Sequence, residues 1–555
     1  MSSVNIHSNV GPWSGFLSNY PPGAAHNIAY AIHGPAVHIS WDDADETIHT
    51  DSEGYTVKWY CAKLVRKVGS MPNNVDDGTI IVTSTVHNQY RATPYIDSSI
   101  TTNTKYYYRV FTCSTDGIWN RECSDDSWCT VITGSSLAYR TAALTIDLSK
   151  SNPSSWATIS GTGPISTTGK GSAATAAWQD FFGYRACLFK DGKPVGYLKN
   201  DDFSTFTNGE SADITSGKAG DVMIQFPRRG LRITHSGSIL TIKFTEDPND
   251  SNYDYFAHTR GTANKDYFYL GAYLTYMYSD TLDGGTPDSY SISHVWPAIG
   301  ESYAVGSSGG NTGGALLSTG YWMNVENQYK SAIRKGTGYG IIGWYQWIYI
   351  QCMYMMQFKG DATTKNLTSL SQGRFPTYKN TDRVVPDDFK RTGYCDKLGM
   401  VYADGWTVKL FGLENVFGYG NTYFNNMIIG SDNYIYTTTD DTITDTSKYT
   451  KIGSNPITPA SSGASKKGYI SNVIGTSNSG FFPKAVNGSD STYLCDYAMI
   501  NSGNRVPCSS GHANTEFLNG GGLGMFSIVT ISVRNSKQDS ETSIVDLGVG
   551  RLMYL

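Results

Sequence analysis

Residues 338 to 360, GYGIIGWYQWIYIQCMYMMQFKG, carry no charged side chain between Gly338 and Phe358. About 20 uncharged residues in a helix are enough to cross the hydrocarbon core of a bilayer. The residue types argue for a different destination. Gln346, Gln351 and Gln357 interrupt the run, and Gln346 and Gln357, almost three whole turns apart, share one helical face. Much of the rest is Trp344, Tyr345, Trp347, Tyr349 and Tyr354, residue types that bilayers hold at their interfaces, and Leu is absent. The stretch therefore predicts a buried helix at the centre of a large folded unit rather than a membrane span. Each fully buried Trp, Ile or Met there would contribute about 1.5–3 kcal/mol.

Such a helix needs a large core around it, and a chain of 555 residues supplies one within two to four domains. Charged residues are only 16% and the net charge is −5, so there is no basic field to attract nucleic acid and no acidic tail. The 59 Gly and 39 Tyr residues, with abundant Ser, Thr and Asn, describe many turns joining strands, hence a β-rich chain. A polar, Tyr-rich surface also suits recognition. The opening MSSVNIHSNVGPWSGF lacks the basic and apolar regions of a secretion signal, which predicts synthesis and folding in a cytoplasm. Nine Cys, without CxxC spacing, suggest neither a zinc site nor a disulfide framework. Most are expected to be reduced and buried. No metal or cofactor is expected.

Residues 1–135 read as short strands at regular spacing: AVHISW, then YTVKWYCAKLVRK, then GTIIVTS after a turn. In TKYYYRV, period two puts Tyr106, Tyr108 and Val110 on one face and Tyr107 and Arg109 on the other. About seven such strands make a sandwich. Trp41 on an early strand and Ile100 six residues before Tyr106 resemble the fibronectin type III pattern, in which that tyrosine forms the corner hydrogen bond. The phrases AKLVRKVGSMPNNVDDGTIIV and YIDSSITTNTKYYYRVFTCSTDGIWN are similar to modules attached to bacteriophage tail proteins, usually spacers. The Ser, Thr and Gly rich residues 136–175 read as a linker. The GKGS within it is no phosphate loop, because Pro164 stands where the first Gly is required and Gly171 follows Lys170. The GSSGGNTGG at 306–314 lacks the flanking strand and helix of a nucleotide cradle.

From residue 176 to 555 no internal boundary and no 20 to 50 residue period is visible, which argues against a solenoid. WQDFFGYRACLFKDGKPVGYL, DVMIQFPRRGLRI, DYFYLGAYL, the opening stretch, VKLFGLENVFG, SGFFPKAVNGSDSTYLCDY and the closing GLGMFSIVTISVRN…LGVGRLMYL resemble, together, phage tail fibre or receptor-binding proteins. The resemblance implies a terminal domain of the C-type lectin fold, an α+β unit in which the uncharged stretch is the long core helix. It also implies a likeness to targets of diversity-generating retroelements, in which residues before a terminal Gly-x-Arg-Leu vary on a constant framework. The framework here would be Gly524, Phe526, Gly548, Gly550, Arg551 and Leu552, with a variable-type region at about 490–555 and NSKQDSETS (535–543) as an extra projecting loop.

Between Asp496 and Asp546 the expected ligand contacts are Tyr497, Asn501, Asn504, Arg505, His512, Asn514, Glu516, Asn519, Thr530, Ser532 and Arg534. A site that tolerates substitution needs solvated side chains on a rigid scaffold, since a changed core residue costs several kcal/mol and a surface one about 0.5 or less. Neither a Glu-Pro-Asn nor a Trp-Asn-Asp triplet for calcium-type sugar binding is present. The carboxylates of SWDDADE (40–46) read as a solvated turn.

Enzyme readings are weaker. The lectin-type fold also hosts formylglycine-generating oxidases, but Cys495 lies in an apolar strand with no basic neighbour, and Cys508 is only near the right region. Asp432, Asp440 and Asp441 are candidate glycosidase carboxylates that nothing in the spacing selects. No Ser-His-Asp elbow or His-Glu-x-x-His occurs. The expectation is a non-enzymatic virion adhesin whose partners are a bacterial surface receptor and other tail proteins, by resemblance a homotrimer. A bacterial or prophage-derived surface adhesin is the alternative, and a wall-polysaccharide-degrading tail enzyme is a more distant one.

Overall fold

The computed structural model describes residues 20–120, 127–134, 138–150, 157–169, 171–207, 209–278, 288–293, 325–358, 393, 395–398, 401–403, 407–416, 421–441, 445–458, 465–489, 496–501, 503, 505–509, 525–526, 528–532 and 548–555. The chain is β-rich and divides into two compact units, residues 1–139 and 140–555.

In the first unit, His26–His33, Ala36–Asp42 and Tyr95–Asp97 form a three-stranded antiparallel sheet. A second sheet is built on the long strand Thr56–Val68, which pairs with Lys105–Ser114 on one side and with Thr47–Thr50 and Thr79–Ser84 on the other. Trp128–Ile132 completes it beyond Lys105–Ser114. Alternation works as the sequence predicts: Tyr106, Tyr108 and Val110 join Val37, Ile39, Trp41 and Leu64 in one core. The Tyr106 hydroxyl accepts a 2.9 Å bond from the Thr101 amide, tying the strand to the corner beneath Ile100.

The SWDDADE reading holds for Asp45 and Glu46, which are exposed, and requires correction for the other two carboxylates. Asp42 and Asp43 are buried, not solvated. Asp43 accepts the Trp41 indole N–H at 2.9 Å and the Asn88 amide at 2.7 Å, while Asp42 pairs with Arg91 at 3.0 Å. A core tryptophan needs an acceptor for its N–H, and this turn supplies it.

In the second unit the expected linker is again a correction. Thr141–Asp147 and Ala157–Gly161 are strands that extend the hairpin Gly230–Ser236/Ile239–Thr245 into a four-stranded sheet. TAALTID buries Ala142, Leu144 and Ile146 in strict alternation. The Thr residues that made the stretch look like a connector are themselves good strand formers. Helix α1, Ser172–Phe182, starts inside the same stretch, buries Trp178, Phe181 and Phe182, and stops at Gly183 with φ 70°.

The uncharged stretch begins as a strand, Tyr339–Ile341, before the helix expected there. A short helix α2, Val325–Ile333, precedes it, and α3, Trp344–Phe358, follows with all fifteen side chains buried. The three glutamines donate to backbone carbonyls: Gln346 Nε2 to Ala257 O (2.6 Å), Gln351 Nε2 to Met525 O (2.9 Å) and Gln357 Nε2 to Gly169 O (3.3 Å). Each amide thus pins a distant loop to the helix. Among the described residues no helix is long and apolar enough to cross a membrane.

Two seven-stranded sheets accompany α3. The first runs Asp202–Phe206, Lys193–Lys199, Arg185–Lys190, Asp221–Pro227, Tyr267–Gly271, Leu552–Tyr554, Tyr339–Ile341, so the last strand of the chain is inserted between two earlier ones. The second runs Thr450–Ser454, Tyr434–Thr437, Met427–Ile429, Arg505–Ser509, Ile528–Ser532, Tyr497–Asn501, Ser465–Tyr469. Gly480 belongs to a loop seated on α3. Its φ is 52°, and a Cβ there would lie 2.4 Å from Ile348 Cγ1. Gly480→Ala is expected to cost about 1–3 kcal/mol through strain and overpacking, read as a lower urea midpoint at unchanged slope.

Candidate functional site

The second seven-stranded sheet carries the expected contact residues that the structure describes. Tyr497 and Asn501 are half-buried on one face; Tyr497 packs edge-on to Tyr469 at 5.5 Å. Arg505 is half-buried, and the register that sets Ala498 beside Ile528 and Cys508 beside Val529 puts it on the opposite face. Thr530 is fully buried, a correction to its reading as a solvated contact. Its hydroxyl and carbonyl accept the Asn501 backbone and side-chain amides at 2.8 and 2.5 Å, so these two residues hold neighbouring strands together. Ser532 pairs with Arg505 in the ladder. Asn504, His512, Asn514, Glu516, Asn519 and Arg534 lie outside the described residues, as do Cys495 and Gly524. The described members therefore do not converge on one surface. The alternation of a strand divides polar residues that look continuous in sequence.

The expected framework residues are better placed. Arg551 is buried and donates to the Gly271 carbonyl at 2.6 Å and to the Glu414 carbonyl. Leu552 is fully buried, and the Phe526 amide donates to buried Asp496 at 2.9 Å.

Concavity lies elsewhere, at the other end of the same sheet. A cleft of about 400 Å³ opens between Thr450–Ser454 and the loop that follows Asn472–Val473. Ile435, Ile452 and Ile474 form its apolar wall, and Thr476, Asn478 and Lys484 contribute polar groups. The volume falls within the range of about 300–1,000 Å³ usual for small-molecule sites. Both sides are fixed. Gly475 and Gly480 close a turn in which Gly475 N donates to Gly480 O (3.0 Å) and Gly480 N to Thr476 O (2.7 Å). The Trp344 indole at the start of α3 donates to Asn478 O at 3.2 Å, and the Ile233 amide to Ser477 Oγ at 3.1 Å. On the opposite side, buried Asn455 bonds Asn433 Oδ1 (3.1 Å) and accepts the Ile457 amide (2.9 Å). The sequence signal for this wall is the run GTSNSG between Ile474 and Phe481, small polar residues flanked by apolar ones.

The carboxylates considered for glycosidic chemistry are held by partners. Asp432 accepts the Tyr436 hydroxyl at 2.6 Å and lies 3.3 Å from Lys451; the hydroxyl above all keeps it below the usual carboxylate range, the wrong direction for a general acid. Asp440 pairs with Lys448 at 3.1 Å and Asp441 with Arg260 at 2.8 Å. Cys508 is buried within the sheet. No protein-family model matches the chain, and no curated protein matches its sequence.

Proposed function

We propose that the chain is a bacteriophage tail adhesin, with residues 140–555 as a receptor-binding head of the C-type lectin type and the first unit as a fibronectin type III-like spacer. The observation that carries this reading is the cleft: a preformed concavity whose walls are tied to a wholly buried helix, with an apolar side and adaptable polar groups at its mouth. Its described lining residues include Lys484 and no carboxylate, which suits a neutral or anionic sugar unit of a bacterial surface polymer. The two-sheet first unit with its Tyr106 corner bond supports the spacer role. The buried Arg551 supports the lectin-type framework, since a fixed residue there frees neighbouring loops to vary. Assembly as a homotrimer on the virion, beside other tail proteins, would multiply a weak single-site affinity.

The test is binding of the labelled full chain to a panel of bacterial cells and to their extracted surface polymers. Saturable binding to at least one host is expected, and Lys484→Glu, at an exposed position, should weaken it about tenfold, or about 1.4 kcal/mol, at unchanged thermal midpoint. Absence of binding to every cell type sinks the adhesin reading, undiminished binding by the variant removes the cleft from it, and release of polymer fragments replaces it with an enzyme.

A further inference from the structure

In the first unit, Cys61 and Cys113 are direct partners across the antiparallel ladder of Thr56–Val68 with Lys105–Ser114. Their neighbours Ala62, Leu64 and Val110 enter the core, so alternation places both thiols on the outer face of the sheet, together with Lys63. Cys113 also forms an isolated antiparallel bridge with Trp119, and the Lys63 ammonium lies 4.8 Å over the Trp119 ring. Both cysteines are about 95% covered, at 5% and 4% exposure, and the Cys113 thiol donates to the Ser114 carbonyl at 3.5 Å. The Val110 amide donates to Ser127 O (3.1 Å) and the Asn120 amide to Thr112 O (2.9 Å), so residues 110 and 112 turn their backbone groups away from Thr56–Val68. Cys113 therefore faces Cys61 as a hydrogen-bonded pair, for which Cα atoms stand about 5.5 Å apart. That spacing lies inside the roughly 4.4–6.8 Å that a disulfide spans, with Cβ atoms somewhat wider than a relaxed bridge prefers.

We propose that Cys61 and Cys113 are a thiol–disulfide modification site: a reversible cross-strand bond that staples the two central strands of this sheet when the chain meets a disulfide oxidant. The inference is independent of the adhesin reading. The adjacent Cys113 thiol, more than the nearby Lys63, draws the Cys61 thiol down to about 7, which makes it the attacking thiolate. Its sulfur attacks one sulfur of oxidised glutathione, breaking that S–S bond and expelling one glutathione thiolate. Cys113 sulfur then attacks Cys61 sulfur and expels the second. The two thiol protons pass to solvent or to the departing thiolates, so two cysteines are oxidised and one glutathione disulfide is reduced to two thiols. The wide spacing makes the product more reducible than a relaxed structural bridge.

Incubating the full chain with oxidised glutathione, alkylating the remaining thiols and mapping peptides tests this. The expected product is a linked peptide pair containing Cys61 and Cys113, two hydrogens lighter than its parts, lost in Cys61→Ser and in Cys113→Ser and reopened by dithiothreitol. Persistence of both thiols, a stable glutathione adduct without the cross-link, or linkage of either cysteine to a different one overturns the proposal. The wild-type map decides the matter even if a serine variant fails to fold.

Discussion

Lys409→Met is expected to destabilise the second unit by about 3–5 kcal/mol, the usual cost of stripping one member from a buried ion pair. Lys409 and Glu414 face each other across the hairpin of Thr407–Leu410 and Leu413–Glu414, both fully buried, with Nζ and Oε1 3.9 Å apart. The ammonium also donates to the Cys395 carbonyl and sits 4.6 Å over the Phe203 ring. Glu414 accepts the Gly393 and Cys395 amides at 3.0 Å each. Burial pushes the Glu414 carboxyl up to about 7 and depresses Lys409, so the attraction between them only partly offsets their desolvation. Removing the ammonium leaves a carboxylate with no counter-charge at contact. Because the folded carboxyl is then harder still to ionise, the deficit should grow as pH rises through about 7. Lys409→Met with Glu414→Gln keeps an acceptor for the two amides and should recover more than half of the loss in a double-mutant cycle. A single-variant cost under about 1 kcal/mol would mean that the pair is not ionised in the folded protein.

That pair was invisible in sequence, and the reason is general. VKLFGLE shows a short strand and a turn, but nothing local announces that residues 393–398 deliver two amides and a carbonyl to it. What could be read was whatever depended on periodicity and residue type. α3 was legible because uncharged aromatic and aliphatic residues with three amide side chains fit only a buried helix. The Tyr106 face was legible because a strand repeats every two residues. The same alternation separates the polar residues of the candidate site: Asn501 and Thr530 look solvated by residue type, yet one is bonded to the other inside the sheet. Residues 136–175 resemble a linker in sequence because Thr serves strands and connectors alike. The cleft escaped because its walls come from three segments, at 435, 452–456 and 474–484, that only the folded sheet brings together.

Acid should weaken the second unit through one histidine. His258 closes a turn, Phe256–His258, and is fully buried, its ring 4.8 Å from Phe268 and 5.4 Å from Tyr349. Burial above all drives its pKa down to about 3 from an ordinary 6.5, against the backbone groups of Pro227 and Phe226, which favour the charged ring, and with smaller help from the Arg228 and Arg229 charges. The unfolded chain therefore takes up a proton as pH falls below 6.5 while the folded one does not, and folding stability drops by about 1.4 kcal/mol per pH unit. The stability is fully present above 6.5 and is lost progressively down to about 3, roughly 4–5 kcal/mol in all. Other groups also titrate in that window, so the informative quantity is a difference. His258→Phe keeps an aromatic ring against Phe268 and Tyr349 and removes the titration. Urea midpoints of the two proteins, measured from neutral pH to about 4, should show the wild type falling steadily relative to His258→Phe as the pH drops. Parallel curves would mean that the imidazole accepts its proton within the folded core, held by the backbone groups of Pro227 and Phe226 that oppose the effect of burial.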